Sequence, residues 1–547
     1  MLALLLLALS RSPDDPQAMA PVKLSAQSGF YDEAFYLEMG SARGEIRYTL
    51  DSTVPDENSL LYTGPILIRD VSGDENTYAL RTDVCLELNG DILESAGVKP
   101  KYGFTTPTEP VDKATVVRAV CIDAFGNRSD VVTAVYFVGY DQRTAYDGLN
   151  VVSVVTDPDN LFDYDRGIYV LGRTFGETLV DGKVVPPVSS NLGVWPANYK
   201  NKGIEWEREA AVCFFDADRT PVLSGNCGIR IQGGASRAML PKSLNLFARR
   251  RYGQTAFPTA QLFGEDWQLH TLNLNSGGQG VRTKIHDVLV NTMVSDMKVL
   301  TREYEPCAMF LDGEFWGVYW LTPRFKEDYL ESKYGIPADE VIETKVDYIE
   351  VGYGEDFNSY KAMMGFIGDG DMSDPDTYAR LCELVDIDSW VDYYAIEIYV
   401  ANTDWPKNNR SMWRTRDVID HPWGDGRWRW IMFDVNLAME LDRADENFVS
   451  RTVQRDAIFA SLMESREFKK ALYARLVTLA EVNFHPDRVD AFVDEYEQAM
   501  RGVMALEYKR FLSDRTEQDF IQSCEDIKAF YRARHDYILE AYGEKQG

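Results

Sequence analysis

The sequence of 547 residues lacks the short motifs that identify several large enzyme classes. It contains no G-x-x-x-x-G-K-[ST] phosphate-binding loop, no H-E-x-x-H zinc motif and no G-x-S-x-G nucleophile elbow. Its five histidines are scattered without ligand spacing, which argues against a zinc site. P-loop nucleotide hydrolases, zinc peptidases and serine hydrolases of the usual types are therefore not expected.

Positive charge is scarce. The 57 Lys and Arg residues are outnumbered by 87 Asp and Glu, which gives a formal net charge of -30 at pH 7. Nucleic-acid binding needs a basic surface that displaces counterions, and the one basic run, Arg249–Arg251, stands alone. The sequence therefore predicts no nucleic-acid partner, although its acidity could attract cations or basic protein substrates.

Long hydrophobic runs are missing apart from one at the N-terminus. Leu2–Leu9 is too short to span a bilayer but long enough for the core of a signal peptide. A small-x-small cleavage signal follows at Ala18–Ala20. We expect residues 1–20 to be a signal peptide, the protein to be exported, and no membrane span to follow.

Cysteine is sparse, and seven residues in so long a chain do not make a disulfide scaffold. Cys213 and Cys227 lie on neighbouring predicted strands and could pair, as could Cys85 and Cys121. Buried free thiols are the alternative, and the sequence leaves both open.

Apolar material is ample, since 45% of the residues are hydrophobic, and the length suggests two to four domains. Residues 21–139 show short alternating strands with turn signals, a pattern typical of a β-sandwich. Ser28–Tyr31, Tyr48–Pro55 and Tyr62–Ile66 resemble the chitobiase/β-hexosaminidase C-terminal domain, which is an immunoglobulin-like sandwich. The resemblance implies an accessory module of secreted proteins, either a spacer or a weak glycan contact, with no catalysis. It does not explain an acidic, glycine-containing insertion at residues 70–113.

After a predicted linker at residues 139–148, residues 150–330 are expected to be rich in β-strands. One hairpin ends in the strand Lys242–Ala248 and carries the loop Gly233–Arg237 at its tip. Lys242 shares the parity of the apolar residues of its strand and should point inward, where a lysine needs an anionic partner. A nucleotide phosphate or a buried carboxylate would supply one.

A second glycine-rich loop, Asn273–Gly280, leads into a predicted helix that carries Arg282 in its first turn. From that position Arg282 could reach an anion bound at the helix N-terminus. The alternative is an ordinary pair with an acidic neighbour.

Residues 331–547 are predicted to be mainly helical. An aromatic-rich helix leads to Asp404, Asn409 follows five positions later, and the apolar run Trp428–Phe433 leads to Asp434. In phosphoryl transfer one aspartate takes the proton of the nucleophile, while an asparagine and a second aspartate hold a divalent metal. The alternative is a turn whose side chains cap the local backbone.

Together these segments resemble the spore coat protein H (CotH) kinase family over residues 151–542. The resemblance rests on Gly233–Ser243, the segment around Arg282, Leu311–Tyr319, Asn402–Asn409 and Phe433–Asn436. It implies an α+β protein, in which the immunoglobulin-like sandwich precedes a two-lobed, atypical protein-kinase-like domain. The β-rich lobe would occupy residues 150–330 and the helical lobe residues 331–547.

The resemblance also implies a chemistry, the transfer of phosphate from ATP to serine or threonine of exported proteins with Mg²⁺ or Mn²⁺. The matching positions give the roles: Asp404 is the catalytic aspartate, Asn409, Asp434 and Asn436 lie on the metal side, Lys242 and Arg282 on the phosphates, and Ser236 and Arg237 in the nucleotide-facing loop. The expected partner is a protein substrate, and the expected location is secreted or associated with a bacterial cell envelope or spore coat.

Two departures from the family pattern keep other functions open. Pro323 stands where the family usually has Glu, with Glu327 or Glu331 as substitutes, and Asn436 stands where it has a second metal-side Asp. A neutral ligand should weaken divalent-metal binding. A silent pseudokinase that acts as a surface or spore-envelope binding protein is therefore the alternative. Glycoside hydrolysis by Asp404 and Asp434 is a third reading, which requires a fixed carboxyl separation.

Overall fold

A computed structural model describes residues 19–180, 183–184, 189–346 and 348–546. The core of the predicted signal peptide lies outside these residues. With 37% helix and 22% strand, a sheet-rich N-terminal region and a helical C-terminal region, the protein is of the α+β class, as the sequence predicts. No described helix has the length and apolarity needed to cross a membrane.

The regular elements are as follows. The described strands are Lys23–Leu24, Gly29–Tyr31, Phe35–Leu37, Met39–Gly40, Glu45–Thr49, Leu60–Leu61, Ile66–Ile68, Thr115–Ile122, Val132–Val138, Asn150–Val155, Leu179–Val180, Lys183–Val184, Arg208–Phe215, Pro221–Ile231, Leu244–Phe247, Phe257–Pro258, Gln268–Leu269, Thr271–Asn275, Glu305–Leu311, Glu314–Pro323, Val341–Lys345, Tyr348–Val351, Ser411–Thr415 and Arg429–Ile431. The described α-helices are Gly90–Ala96, Pro158–Phe162, Gly172–Gly176, Ala260–Phe263, His286–Met293, Glu327–Tyr334, Phe357–Asp369, Pro375–Leu384, Ile387–Tyr399, Phe448–Arg455, Ala457–Leu462, Arg466–Thr478, Pro486–Phe511 and Glu517–Tyr542.

The chain divides into two units. The first contains the residues up to Phe257 together with Pro306–Tyr319 and Leu506–Arg515, and the second contains Pro258–Glu305, Trp320–Ala505 and the residues from Thr516 onward. The units cut through the predicted β-rich and helical lobes rather than following their boundaries. The domain boundaries given by the sequence stay a prediction.

The first unit begins with a small β-module. Five strands form one sheet, in which Thr115–Ile122 pairs with Glu45–Thr49 on one side and with Val132–Val138 on the other. Two short two-stranded sheets share its core, since Leu37 and Ile68 from one of them pack with Val117 of the large sheet. The alternation that predicted the strands thus buries one face of each sheet.

A second sheet of the first unit follows directly. Strands Asn150–Val155, Arg208–Phe215, Pro221–Ile231 and Leu244–Phe247 pair in antiparallel order. Residues Cys307–Leu311 add a parallel neighbour to the first of these strands. The segment predicted as a linker, residues 139–148, is packed rather than extended, because Tyr140 and Tyr146 are buried among the aromatic rings between the module and this sheet.

The acidic insertion at residues 70–113 has a structural role that the sequence did not reveal. The buried carboxylate of Glu314 accepts hydrogen bonds from the backbone N–H groups of Thr77, Tyr78 and Ala79, at 2.5, 3.1 and 2.7 Å. Farther along the insertion, the N–H of Thr105 donates to the carbonyl of Phe511. The insertion is therefore tied to the rest of its unit by its backbone.

The second unit combines a four-stranded sheet with most of the helices. The strand order is Tyr348–Val351, Val341–Lys345, Ser411–Thr415 and Arg429–Ile431, and each pairing is antiparallel. The helix Ile387–Tyr399 packs on the last strand, where the Tyr393 ring stacks on Trp430 with centroids 4.0 Å apart. This sheet and helix support the candidate site.

Three expectations about local structure are corrected. All seven cysteines are free, and six of them are buried, so the proposed pairs Cys213–Cys227 and Cys85–Cys121 are absent. The helix near Arg282 begins only at His286, so Arg282 lies in the preceding turn. Lys242 precedes its strand, which begins at Leu244, so the parity argument does not apply to it.

We predict that Glu314→Gln lowers the free energy of unfolding of the first unit by about 2–4 kcal/mol, because three backbone donors lose a charged acceptor. Urea unfolding followed by tryptophan fluorescence measures the change. Glu109→Gln, on the exposed part of the same insertion, is the matched control and should have little effect. Equal midpoints for the two variants would show that Glu314 does not anchor the insertion.

Candidate active site

The helix Ile387–Tyr399 carries the chain to the first site residue, and its C-terminal end is held firmly. Every residue from Ser389 to Tyr399 is buried. The buried guanidinium of Arg534 donates to the carbonyls of Ile398 and Tyr399 at 2.7 and 3.0 Å, and to two further carbonyls at Ala444 and Glu446. A cation that satisfies the last carbonyls stabilises a helix C-terminus.

Beyond the helix, a short hydrogen-bonded chain leads to Asp404. Asn402 is fully buried, donates from Nδ2 to Glu397 Oε2 at 2.9 Å, and accepts from the N–H of Asp404 at 3.2 Å. Thr403 donates from its N–H and its hydroxyl to the carbonyl of Leu437. Asp404 is thus fixed by both of its preceding residues and lies against the segment that follows Asp434.

The four-stranded sheet brings the remaining site residues to the same place. Lys345, Ser411 and Ile431 lie side by side on adjacent antiparallel strands. Asn409 precedes Ser411 by two residues, and Asp434 follows Ile431 by three. Segments that are far apart in sequence therefore emerge at one end of the sheet.

Asn409 connects the two aspartates. Its Nδ2 donates to Asp404 Oδ2 at 3.0 Å and to the main-chain carbonyl of Asp434 at 3.3 Å. Asn408 donates to the other oxygen of Asp404 at 2.9 Å. Asn409 and Asp434 both have left-handed backbones, with φ of 57° and 60°. Non-glycine residues in this region carry strain, which concentrates at functional sites.

The glycine-rich loop predicted at residues 273–280 lies against Asn436. A Cβ atom on Gly278, whose φ is +54°, would come within 2.7 Å of Asn436 Nδ2. The same Nδ2 donates to Asp434 Oδ1 at 3.0 Å. Only a glycine lets the loop approach this closely in that conformation.

Two acidic residues that sequence reasoning missed lie behind the site. Asp287, in the first turn of the helix His286–Met293, accepts the N–H of Val435 at 2.8 Å and is buried. Glu397 is fully buried, and its Oε1 has no partner in the described part of the chain. The available signal for Glu397 was its place between Ile396 and Ile398, since a carboxylate between apolar helix residues is rarely buried without a reason.

These carboxyl groups give the site an excess of acidic side chains over basic ones. Burial raises the pKa of Asp434 to about 7, an effect that Asp287 and Asp404 strengthen and that Lys345 and Asn436 oppose. Burial likewise raises the pKa of Asp287, and raises that of Glu397 well above its usual range. Like charges close together in a poorly solvated place favour the protonated form or a bound cation.

The residues of the site fit a divalent metal. Asp434 Oδ2, Asn409 Oδ1 and Asn436 Oδ1 have no hydrogen-bond partner among the described residues, whereas the amide nitrogens of both asparagines are occupied. Carboxylate and amide oxygens suit Mg²⁺. No group of three or more His, Cys, Asp and Glu in the described ranges could hold a metal, so the amides are needed.

The loop residues predicted to face a nucleotide lie in the first unit. Their charged side chains donate hydrogen bonds to nearby main-chain carbonyls. Lys242 is fully buried, donates to the carbonyls of Arg237 and Met239 at 2.6 and 3.3 Å, and lies 3.9 Å from the centroid of the Tyr199 ring. Its partners are therefore carbonyls and a ring, not the anion that the sequence led us to expect. Burial lowers its pKa to about 7.

The other two predicted loop residues are arranged in the same way. The buried Arg237 donates to carbonyls at Gly233 and Asn201, and Ser236 lies in the one-turn helix Ala235–Ala238. In the second unit Arg282 is exposed in the turn before the helix at His286.

The position where the family usually has Glu is also accounted for. Pro323 ends its strand, and Arg324 forms an ion pair with Glu350. Of the two substitutes considered, Glu331 accepts the N–H of Ala338 at 3.3 Å, and Glu327 has a buried Oε2 without a described partner.

An acid and amide pair next to a second aspartate, at the end of a supported sheet, is the arrangement of a kinase-like protein. A family model described as CotH kinase protein matches residues 229–538, more than half of the chain, and the protein therefore belongs to the CotH kinase family. A second model, described as Fn3 associated, matches residues 36–136 in the N-terminal module. The predicted family and its accessory module are thus confirmed. No curated protein matches the chain significantly.

Replacing Gly278 by alanine should disturb Asn436 and lower the free energy of unfolding by about 1–3 kcal/mol, because a Cβ adds both a close contact and left-handed strain. Thermal unfolding measures the effect. Gly365→Ala is the matched control, since this helical glycine has open space around it and alanine should stabilise it by up to about 1 kcal/mol. Similar shifts in Tm for both variants would show that the close approach of Gly278 to Asn436 does not matter for stability.

The acidity of the site predicts a pH dependence of stability. Asp434 has a folded-state pKa of about 7, above its ordinary value, so the folded protein holds this proton more tightly than the unfolded chain. The corresponding stabilisation is present at low pH and is lost as the pH rises through 7.

In EDTA, Asp434→Asn should therefore raise Tm relative to the wild type more at about pH 8.5 than at about pH 5.5. Differential scanning calorimetry measures this difference. Asp420→Asn, on an exposed loop of the same unit, should show no such trend. A difference between Asp434→Asn and wild type that does not change with pH would contradict the raised pKa.

Proposed function

We propose that this protein is a metal-dependent kinase that transfers the terminal phosphate of ATP to serine or threonine of a protein. The observation that carries the proposal is the pair of hydrogen bonds from Asn409 Nδ2 to the Asp404 carboxylate and the Asp434 carbonyl. They place a proton acceptor beside oxygens that suit a divalent cation. The family assignment supports kinase chemistry.

Asp404 is the proposed base. One of its oxygens accepts from Asn408 and the other from Asn409, and each retains a lone pair for the hydroxyl of the acceptor. The two amides also fix the orientation of the carboxylate. Asp404 then orients the serine or threonine hydroxyl and takes its proton during transfer.

Asp434, Asn409 and Asn436 would hold the metal, through the oxygens that have no described hydrogen-bond partner. When bound, such a cation would supply positive charge that offsets the negative charge of the donor phosphates. The protein contributes by orienting the two asparagine side chains. Asn409 Nδ2 donates to the Asp404 carboxylate and the Asp434 carbonyl, and Asn436 Nδ2 donates to Asp434 Oδ1, so the amide oxygens are left for a cation.

The remaining assignments rest on the family resemblance. Arg282, exposed in the turn beyond the glycine-rich loop, is proposed to bind phosphate. Lys242, with Ser236 and Arg237, would shape a nucleotide-facing loop in a two-lobed domain. We further propose export to the cell surface or spore coat and a basic or neutral acceptor, since a net charge of -30 repels acidic partners.

A pseudokinase that serves as a surface binding protein is the second candidate, and Asn436 favours it. Its Nδ2 donates to Asp434 Oδ1, so a neutral amide already satisfies one of the carboxylate oxygens that a metal would share. A second carboxylate at this position would instead demand a cation. Binding of nucleotide without turnover is the signature of this candidate.

Asp404→Asn should lower phosphate transfer about 10²–10⁴-fold, because the acceptor hydroxyl loses its base, while the folded structure keeps an isosteric side chain. The assay uses the full chain, labelled ATP with Mg²⁺ or Mn²⁺, and serine-rich and basic acceptor peptides. Asp420→Asn is the control and should retain wild-type activity.

Thermal unfolding with ATP and metal separates the two candidates. A kinase shows both a nucleotide-dependent rise in Tm and transfer that depends on Asp404. A rise in Tm without transfer in the wild type would replace the kinase by the pseudokinase. The absence of both would overturn nucleotide binding altogether.

A further inference from the structure

A lysine that no motif singled out lies at the same end of the sheet as the proposed catalytic residues. Lys345 is the last residue of the strand Val341–Lys345 and pairs with Ser411, whose neighbour on the other side is Ile431. The next residue, Val346, donates its N–H to the carbonyl of Arg410, adjacent to Asn409. Both the strand pairing and this bond hold the backbone of Lys345 beside the site.

The ammonium of Lys345 is partly buried and forms no ion pair with any described carboxylate. It lies 4.7 Å from the centroid of the Phe433 ring, immediately before Asp434. Among the described residues it forms no ion pair and no hydrogen bond. Its charge nevertheless acts on the site, since it lowers the pKa values of both Asp434 and Glu343.

Two other lysines of the second unit that are partly or fully buried are paired. Lys333 binds the Glu303 carboxylate and the Tyr329 hydroxyl. Lys528 binds Asp494 and Glu525, each within 2.6 Å. Lys326 and Lys469 are also partly buried and form no ion pair among the described residues, so Lys345 is distinguished by its place beside Phe433 and Asp434, where a ligand of the site could reach its ammonium.

Lys242, the lysine that the family resemblance places on the phosphates, is in the opposite situation. It is fully buried, and two carbonyls and the Tyr199 ring surround its ammonium. It could bind a phosphate only after these bonds break and its loop moves. Lys345 needs no such rearrangement.

We propose that Lys345 binds the phosphoryl group that is transferred, and that it is the phosphate-binding lysine of this site. The inference rests on the proposed function, because it takes ATP as the donor. The ammonium is a compact charge on a flexible stem, which suits a phosphoryl group whose charge shifts during transfer. The ammonium lies over the Phe433 ring, and no hydrogen bond to the described residues occupies its N–H donors, which could therefore bind phosphate oxygens.

The charge balance of the site agrees with this role. Asp287, Asp404 and Asp434 supply acidic groups, and the triphosphate adds more negative charge. One divalent cation cannot offset all of these in a poorly solvated place. Lys345 is the cation that already acts on Asp434, so it is the group best placed to share the charge of a phosphate next to it.

The test compares Lys345→Met with Lys361→Met in the full chain. Lys361 also lies over an aromatic ring in the second unit, at 5.5 Å from the centroid of Phe357, and is exposed on the helix Phe357–Asp369. Lys345→Met should lower kcat/KM for ATP about 10²–10³-fold, as expected for removing one group that stabilises transferred charge. Lys361→Met should remain within about twofold of wild type, because its lysine meets only solvent and a ring. Lys345→Arg should recover part of the activity, since the charge is kept.

Binding measurements locate the contact. Isothermal titration with ATP and with ADP, each with Mg²⁺, should show a larger loss of affinity for ATP than for ADP in Lys345→Met. Its Tm without nucleotide should stay within a few degrees of wild type, which separates the contact from a folding defect. Equal losses for ATP and ADP would place Lys345 away from the transferred group and overturn the proposal.

The outcomes also separate this inference from the proposed function. Full activity in Lys345→Met, with Asp404→Asn inactive, would leave the kinase in place and overturn the role of Lys345. A wild type that binds ATP without transfer, and loses its preference for ATP over ADP in Lys345→Met, would overturn the kinase and support the lysine. A wild type that neither binds nor transfers would overturn both.

Discussion

The candidate site depends on one amide. Asn409 Nδ2 donates to the Asp404 carboxylate and to the Asp434 carbonyl, and this is the contact that turns two separate chain segments into one site. Each segment has its own support: a buried helix ending under Arg534 precedes Asp404, and the edge of a sheet precedes Asp434. An alanine at position 409 would remove this link between the two aspartates and leave the hydrogen bonds from Thr403 to the Leu437 carbonyl to hold the segments together.

The segments that support the site bury several polar side chains, and this burial costs free energy unless the side chains are hydrogen-bonded. Asn402 and Glu397 are both fully buried and bonded to each other, and Arg534 is buried while donating only to carbonyls. Groups of this kind are tolerated only when their hydrogen bonds are made. The unpartnered Oε1 of Glu397 is the exception, and the raised pKa of this carboxyl means that it is kept neutral rather than paired. A neutral acid costs far less to bury than a carboxylate.

Sequence patterns predicted the parts of this protein whose signals are local. The C-terminal region predicted to be helical contains the helix Arg466–Thr478, which buries Phe468, Leu472 and Leu476 on one face. The spacing of Asp404 and Asn409 belongs to a family motif, and the structure brings both residues together with Asp434. Asp287 could not be found in this way, because its partner is a backbone N–H 148 residues away. Lys242 is buried, as the sequence predicts, but its described partners are carbonyls and a ring, which a polarity pattern does not identify, and its role toward a nucleotide stays a prediction.

Asn436, which stands where the family usually has an aspartate, has two opposite effects on the site. An aspartate at position 436 would add a fourth negative charge beside Asp434, Asp287 and Asp404. It would strengthen the binding of a divalent cation. Asn436 instead donates to Asp434 and opposes the rise in its pKa, so the site stays ordered around a hydrogen bond when no cation is bound. The cost is weaker metal binding, since one ligand is now neutral. A lysine beside Asp434 reduces that cost, because it carries part of the charge that the second aspartate and its metal would otherwise balance. The roles of Asn436 and Lys345 are therefore linked. Because the neutral Asn436 weakens metal binding, the positive charge of Lys345 becomes more important for binding the phosphate.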